Sequence, residues 1–327
     1  MISTQQIEKV VVTGATGYIA SAIIQQLLLK GTYKVVAIVR DKSNKDKLRH
    51  LTELKGANEH LSFEDGDLET ADYATIFQGA DHVLHVASPF LYTAPDPQKT
   101  IVDAAINGNL RVLEAADKVP SIKKVIITSS VVAVVDLAKK KAVYTEDDWN
   151  ESTNISNPYP YSKYLAEKAA VEFRPSHFQM IIVSPSFVLG AGLASHLNSS
   201  VELFANALRG DIGNGYMGVV DLRDVVDTHM VVLTSTENHN RQRKLVSNRV
   251  MSVVDLAERA KQLFPQYDFH DHTTEHKPIT PNSALFNYEV KSITPISIGR
   301  LYIDLDVTLK ETVEYLISTG HLKPRLL

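Results

Sequence analysis

Short apolar segments alternate with longer amphipathic ones, and this alternation is the feature that most constrains the fold. Val10–Thr13 and Val35–Val39 are short β-branched runs, and Gly17–Lys30 between them places apolar residues at helical spacing. Similar short runs follow at Leu61–Phe63, Val83–Val86 and Val125–Thr128. Continuous apolar strands separated by helices are typical of a parallel sheet covered on both faces. The sequence therefore predicts an α/β fold with a doubly wound parallel sheet, the Rossmann fold.

The second half of the chain is less regular. Tyr161–Phe173 has a helical pattern, Met180–Val183 reads as a buried strand, and residues 190–218 are rich in Gly, Asn and Ser. These features predict a smaller C-terminal substrate-binding lobe beside the Rossmann core. We expect the core to comprise residues 1–180 and about 219–250, and the lobe to comprise about 181–218 and 251–327.

Composition excludes several kinds of chemistry. The chain has 327 residues and no cysteine, so it has no disulfide, thiolate metal site or cysteine nucleophile. Its net charge of −4 is too small to indicate nucleic acid or an anionic membrane as the main partner. No apolar run approaches the ~20 residues of a membrane span, and Met1–Lys9 is not typical of a secretory signal. We expect a cytoplasmic monomer or homodimer that acts on a small molecule.

A glycine-containing turn joins the first predicted strand to the first predicted helix. Glycine permits a tight turn and close approach of the backbone to a pyrophosphate, and the helix N-terminus offers unpaired N–H groups. The spacing Gly-x-x-Gly differs from the usual Gly-x-Gly-x-x-Gly, and a tight turn that binds nothing is the alternative. The position in a strand–turn–helix favours a dinucleotide site. The residues expected at the cofactor are Thr13, Gly14, Thr16, Gly17, Tyr18 and Ile19.

A second motif combines a phenol with an ammonium group. Tyr159 and Lys163 are four residues apart, about one helical turn, so both side chains can share a face. An ammonium beside a phenol favours the phenolate and lowers the tyrosine pKa from ~10. This pair therefore predicts a general acid–base at Tyr159, tuned by Lys163. Because Pro160 follows, we expect Tyr159 at the start of the helix.

Tyr164 and Lys168 repeat the same short pattern five residues later. On a helix this is a rotation of roughly 140°, so the two pairs cannot share a face. Only the first pair has Ser162 before its lysine and Ala166-Glu167 after it. We therefore expect the first pair to be the functional one.

Together these motifs resemble those of the extended short-chain dehydrogenases/reductases. Thr-Gly-Ala-Thr-Gly-Tyr-Ile resembles the N-terminal motif of the family, and Tyr-x-x-Ser-Lys-x-x-Ala-Glu resembles its catalytic motif. Ala20 replaces a glycine, as in the branch of dihydroflavonol reductases, cinnamoyl-CoA reductases and yeast carbonyl reductases. The resemblance implies that a nicotinamide cofactor supplies a hydride and that Lys163 also hydrogen-bonds its ribose. It further implies that Ser130, rather than Ser129, positions the substrate oxygen.

The second strand indicates which cofactor binds. An acidic residue at its end would hold the ribose 2′-hydroxyl of NAD, but the expected position carries Val39, followed by Arg40. A guanidinium can grip a 2′-phosphate, and the resemblance places Lys47 there too. The alternative is a solvated charged helix face, and Asp41 would weaken the preference. We expect NADPH.

Other residues are assigned to the cofactor by resemblance alone. They follow the third, fourth and sixth strands of the family and are Asp67, Leu68, Ala87, Ser88, Pro89, Pro185, Ser186 and Val188. For Asp67, capping of the next helix is the alternative.

The substrate pocket has weaker signals. Phe90, Tyr92, Phe187 and Met217 are candidates beside Ser130, with core packing as the alternative. His272–His276 matches a metalloprotease pattern, but its threonines and the following Lys277-Pro278 favour a loop without metal.

The expected activity is NADPH-dependent reduction of an aldehyde or ketone to the alcohol. An NAD-dependent nucleotide-sugar epimerase or dehydratase with the same catalytic residues is one alternative. A non-catalytic NADP-binding protein is the other, although such relatives commonly lose the tyrosine.

Overall fold

The computed structural model describes residues 7–88, 93–210, 215–269, 288–292 and 298–327. The strands in chain order are β1 (Glu8–Thr13), β2 (Tyr33–Val39), β3 (Leu61–Asp65), β4 (His82–His85), β5 (Lys124–Thr128), β6 (Val143–Tyr144), β7 (Gln179–Pro185), β8 (Phe187–Leu189), β9 (Tyr216–Asp221), β10 (Arg243–Val246), β11 (Arg249–Ser252), β12 (Tyr267–Asp268), β13 (Glu289–Val290) and β14 (Arg325–Leu326).

Ten α-helices lie within these described ranges. They are α1 (Tyr18–Lys30), α2 (Lys45–Thr52), α3 (Ala57–His60), α4 (Tyr73–Ile76), α5 (Ala104–Asp117), α6 (Pro158–Glu172), α7 (Ser199–Arg209), α8 (Leu222–Thr234), α9 (Val253–Leu263) and α10 (Leu305–Ser318). A π-helical turn, Gln98–Asp103, leads into α5, and short 3₁₀ turns lie at Val131–Ala133 and Leu137–Lys139.

Seven parallel strands form the central sheet, in the order β10-β7-β5-β4-β1-β2-β3. Helices α1 and α8 cover one face, and α5 and α6 contribute to the apolar cluster on the other. Every residue of β4 and β5 is buried, which explains why these strands are continuous apolar runs in the sequence. The predicted doubly wound Rossmann fold is confirmed.

The strand order places a crevice at the carboxyl ends of β1 and β4. From β1 the chain builds the sheet outward through β2 and β3, and then returns to add β4 on the other side of β1. At such a switch point the two following segments diverge and leave room for a ligand. Thr13 and His85 end these two neighbouring strands and lie opposite each other in register.

The C-terminal part adds a separate three-stranded sheet, β11-β9-β8, and an apolar cluster that includes α7, α9 and α10. Helix α7 lies in the segment whose Gly, Asn and Ser content did not predict a helix. Its apolar residues Val201, Phe204 and Leu208 are buried at helical spacing, and the Asn198 side chain caps it by accepting from the Val201 N–H at 2.8 Å.

The proposed boundaries of core and lobe stay a prediction. Strand β7 belongs to the central sheet, which favours a first boundary a few residues after 180. In the described residues, no helix is long and apolar enough to cross a membrane.

A buried ion pair connects the second half of the central sheet to α6. Glu167 of α6 and Arg243 of β10 are both almost fully buried, and Arg243 Nε donates to Glu167 Oε1 at 2.5 Å. The other carboxylate oxygen, Oε2, accepts from the hydroxyl of Ser129 and from that of Ser184. Its hydrogen bonds therefore join the ends of β5 and β7 to α6.

The arginine side of this pair holds a loop. Its Nη1 donates to the carbonyls of Glu146 and Asp148, and its guanidinium lies 3.6 Å from the centroid of the Trp149 ring. The loop that leads into α6 is thereby held against β10. Breaking this pair would leave a charge buried without a partner.

Arg243→Met should lower the free energy of unfolding by about 3–5 kcal/mol, because it leaves the Glu167 carboxylate buried without its countercharge. Urea denaturation followed by circular dichroism measures the change. Combining it with Glu167→Leu should recover part of the loss.

The matched control for this prediction is Arg249→Met, which removes an exposed arginine from β11. It should change stability by less than about 0.5 kcal/mol. Equal effects of the two arginine substitutions would contradict the prediction.

Candidate active site

The glycine turn after β1 packs tightly against the end of β4. Gly14 has a φ of 65°, and a Cβ atom at this position would lie 2.9 Å from Ala87 Cα. Both facts require glycine here. Gly17 N donates to Gly14 O at 2.8 Å and is the N-cap of α1, which has no side-chain cap and no acidic residue in its first turn. The positive end of this helix therefore faces the crevice without a competing anion from the protein.

Thr13 connects β1 with β4 beneath this turn. Its hydroxyl oxygen accepts from the N–H groups of Val86 and Ala87, both at 3.1 Å, so its proton points to His85 Nδ1 at 2.8 Å. Burial lowers the pKa of His85 to about 4, so this imidazole is neutral at physiological pH. Thr13 is fully buried, and its side chain serves the scaffold rather than the surface of the crevice.

Ser130, Tyr159 and Lys163 line one cavity. Helix α6 begins at Pro158, so Tyr159 lies in its first turn, as Pro160 predicts, and Lys163 lies one turn further. The Lys163 Nζ atom is 5.9 Å from the centroid of the Tyr159 ring. Ser130 follows β5 in an extended conformation, and its hydroxyl oxygen accepts from the Val132 N–H at 3.3 Å. The proton of this hydroxyl is thereby left to be donated elsewhere.

Lys163 is almost completely buried. Burial lowers its pKa to about 8, and the nearby charge of Glu167 partly opposes this shift. The Nζ atom donates to Ser88 Oγ at 2.9 Å, which links α6 to the segment that follows β4. The ammonium form predominates below this pKa and places a positive charge beside the Tyr159 ring.

The second tyrosine–lysine pair does not belong to the cavity. Tyr164 is buried against Trp149, with ring centroids 6.0 Å apart, and Lys168 Nζ donates to its hydroxyl at 3.2 Å. Neither residue is part of the cavity lining. Helical rotation thus separates the two pairs as the spacing predicts.

Arg40 directly follows β2 and is exposed, and Lys47 lies in the first turn of α2. Neither lines the cavity. Asp41, which would weaken binding of a phosphate, accepts hydrogen bonds from the backbone N–H and hydroxyl of Ser43. These bonds lower the pKa of Asp41. Its carboxylate is thereby engaged within its own turn.

Asp67 and Leu68 lie beyond β3. The Asp67 carboxylate accepts from the Glu69 N–H at 2.8 Å, so it does cap the following turn. Leu68 lies near Gly108 of α5, where an added Cβ would approach it at 3.7 Å. Like Arg40 and Lys47, these two residues lie outside the cavity lining.

The cavity has a volume of about 870 Å³ and brings together residues from both halves of the chain. Of the predicted site residues, its lining includes Gly14, Gly17, Tyr18, Ile19, Ser88, Ser130, Tyr159, Lys163, Pro185, Ser186, Phe187, Val188 and Met217. Thr13, Thr16 and Ala87 are not in it. Pro89, Phe90, Tyr92 and the segment His272–His276 lie outside the described residues.

Ser186 stands out among these residues. It is 8% exposed, and its buried hydroxyl has no hydrogen-bond partner among the described residues. Since an unpaired buried hydroxyl is costly, this group is suited to a polar ligand in the cavity.

Two lining segments were missed at the level of sequence, Val131–Ala138 and Asn150–Asn157. They directly follow Ser130 and directly precede Tyr159, and this adjacency was the signal that could have found them. His196, Leu203, Tyr216 and Tyr288 complete the same wall from the C-terminal half. In the described part of the chain, no group of three or more His, Asp or Glu side chains is placed to hold a metal ion.

Comparison with known proteins yields relatives along nearly the whole chain. A cinnamoyl-CoA reductase from Medicago truncatula is 34% identical over 319 residues, which cover 94% of this chain and 95% of the relative. A tetraketide α-pyrone reductase from Arabidopsis thaliana is 31% identical over 325 residues, covering 96% and 97%.

Solved structures agree with this relationship. The yeast methylglyoxal/isovaleraldehyde reductase Gre2, crystallised with NADPH, superposes with a TM-score of 0.79 at 30% identity, covering 95% of this chain and 99% of that one. Residues 10–248 match the profile of the NAD dependent epimerase/dehydratase family. The chain therefore belongs to this family, and the predicted membership of the extended short-chain dehydrogenases/reductases is confirmed.

Proposed function

We propose that this protein is an NADPH-dependent reductase that converts an aldehyde or ketone to the alcohol. The observation that carries the proposal is that Ser130, Tyr159 and Lys163 line the same cavity as the glycine turn. The sequence relatives are named as reductases, as is the yeast protein that was solved with NADPH. The epimerase alternative has less support, because the epimerase among the structural neighbours is only 19% identical and shares the fold alone.

The cavity fits a nicotinamide dinucleotide. The uncapped N-terminus of α1 and the tight turn at Gly14 suit a pyrophosphate. Arg40 and Lys47 stand beyond β2, where a 2′-phosphate would be recognised. The unpaired hydroxyl of Ser186 lies next to β7, where the nicotinamide end is expected. When bound, the cofactor supplies the hydride.

The protein's own residues supply the proton and hold the substrate. Tyr159 donates its phenolic proton to the carbonyl oxygen as the alcohol forms. Lys163 keeps a positive charge beside that phenol, which favours the phenolate left behind. Ser130 donates its free hydroxyl proton to the same carbonyl oxygen and orients it toward Tyr159. The cytoplasmic location and the monomeric or dimeric state stay predictions.

Tyr159→Phe should reduce kcat by a factor of about 10²–10⁴, because it removes the proton donor and leaves the cofactor site in place. Oxidation of NADPH with a panel of aldehydes and ketones measures kcat, and quenching of protein fluorescence measures NADPH affinity. Tyr164→Phe is the matched control and should retain activity, since that tyrosine lies outside the cavity. Undiminished turnover by Tyr159→Phe would refute the assigned role.

Arg40→Leu should raise the KM for NADPH about 10–100-fold, because it removes a charged hydrogen-bond donor to the 2′-phosphate. The KM for NADH should stay unchanged. Both constants come from initial rates with one aldehyde of the panel.

Lys42→Leu is the control for the cofactor prediction. This exposed lysine is two residues away and pairs with Glu64 at 2.9 Å. It should leave the ratio of the two KM values as it is. A ratio equally unaffected by Arg40→Leu would show that Arg40 does not read the phosphate.

A further inference from the structure

The cavity lining is almost free of charge on the side away from the glycine turn. Among the described lining residues, Lys163 and Asp136 are the ones that carry a formal charge, and His196 is a further titratable group. No arginine lines the cavity in the described ranges. An anionic substrate group would therefore have to find its countercharge in one of these side chains.

Lys163 is already committed. It is 7% exposed, its Nζ donates to Ser88, and the proposed reaction needs its charge beside Tyr159. A substrate carboxylate paired with Lys163 would compete with the developing phenolate for that charge. It would also displace the carbonyl from the proton donor.

Asp136 adds a charge of the wrong sign for an anion. It is 1% exposed, and its carboxylate accepts from the Ala138 N–H and from the backbone N–H and hydroxyl of Ser152. These donors hold an ionised carboxylate in the wall of the cavity. It repels a second anion and takes up the hydrogen-bond donors that an anion would need.

The segments outside the described residues contain few cations. In sequence they contain Lys277 and no arginine, against Asp211, Asp271 and Glu275. A net positive charge for the site cannot come from their composition.

The remaining wall suits an uncharged molecule. Val135, Leu203 and Met217 offer apolar surface, and the buried Thr153 hydroxyl has no hydrogen-bond partner among the described residues. Such a wall stabilises apolar groups and can hydrogen-bond a neutral polar one. An ion placed there loses hydration without compensation.

We propose that the reductase takes uncharged carbonyl compounds and rejects those with a carboxylate or phosphate inside the cavity. This inference rests on the proposed function, because it concerns the substrate of that same site. It specifies the class of substrate by charge.

The test compares 4-formylbenzamide with 4-formylbenzoate, which have the same number of non-hydrogen atoms and differ in charge. Initial rates are measured at saturating NADPH and pH 7.5, above the usual titration range of histidine. The kcat/KM of the amide should exceed that of the carboxylate by about 100-fold or more.

Leu203→Lys adds a cation to the wall of the cavity and should narrow this ratio at least about tenfold, by rescuing the carboxylate. Leu203→Met, which adds no charge, should leave the ratio unchanged. If the wild-type protein reduces both compounds equally well, or reduces neither while reducing other panel aldehydes, the charge inference is overturned and the proposed function stands. If it reduces no panel aldehyde or ketone, the proposed function itself fails.

Discussion

The buried pair of Glu167 and Arg243 is the interaction on which the geometry of the site most depends. Two charges withdrawn from water are tolerated only when their hydrogen-bonding groups are nearly all engaged. Here the carboxylate engages Ser129, next to Ser130, and lies one helical turn beyond Lys163. The guanidinium engages the loop that leads to Tyr159. A shift of any of these segments would leave a charge unpaired, so the pair holds them in one arrangement.

The other half of the site depends on the contact between β1 and β4. The Thr13 hydroxyl joins the two strand ends, and Gly14 allows the turn to lie against Ala87. The turn and α6 then meet across the crevice through Lys163, which donates to Ser88. Burial of that lysine favours its neutral form, and Glu167 opposes this effect. The ion pair thus acts on the charge of the site as well as on its shape.

Much of the fold was predictable because parallel strands buried on both faces appear as apolar runs between amphipathic helices. Helix α7 was not, since Asn198, Ser199 and Ser200 at its start are typical of loops, and its apolar residues are buried only by α9 and α10. The segments 131–138 and 149–157 have no periodic pattern. They line the cavity because of where β5 ends and α6 begins.

The sequence by itself determined the βα order, the glycine turn and the one-turn spacing of Tyr159 and Lys163, because each depends on neighbours a few residues away. Tertiary structure alone decided which charges face the cavity and how far burial lowers the pKa of Lys163. Arg243 is distant from Glu167 in the sequence, and no local pattern predicts their contact. Burial and pairing of this kind arise only when the sheet brings remote segments together, since the free energy of a charge depends on what surrounds it.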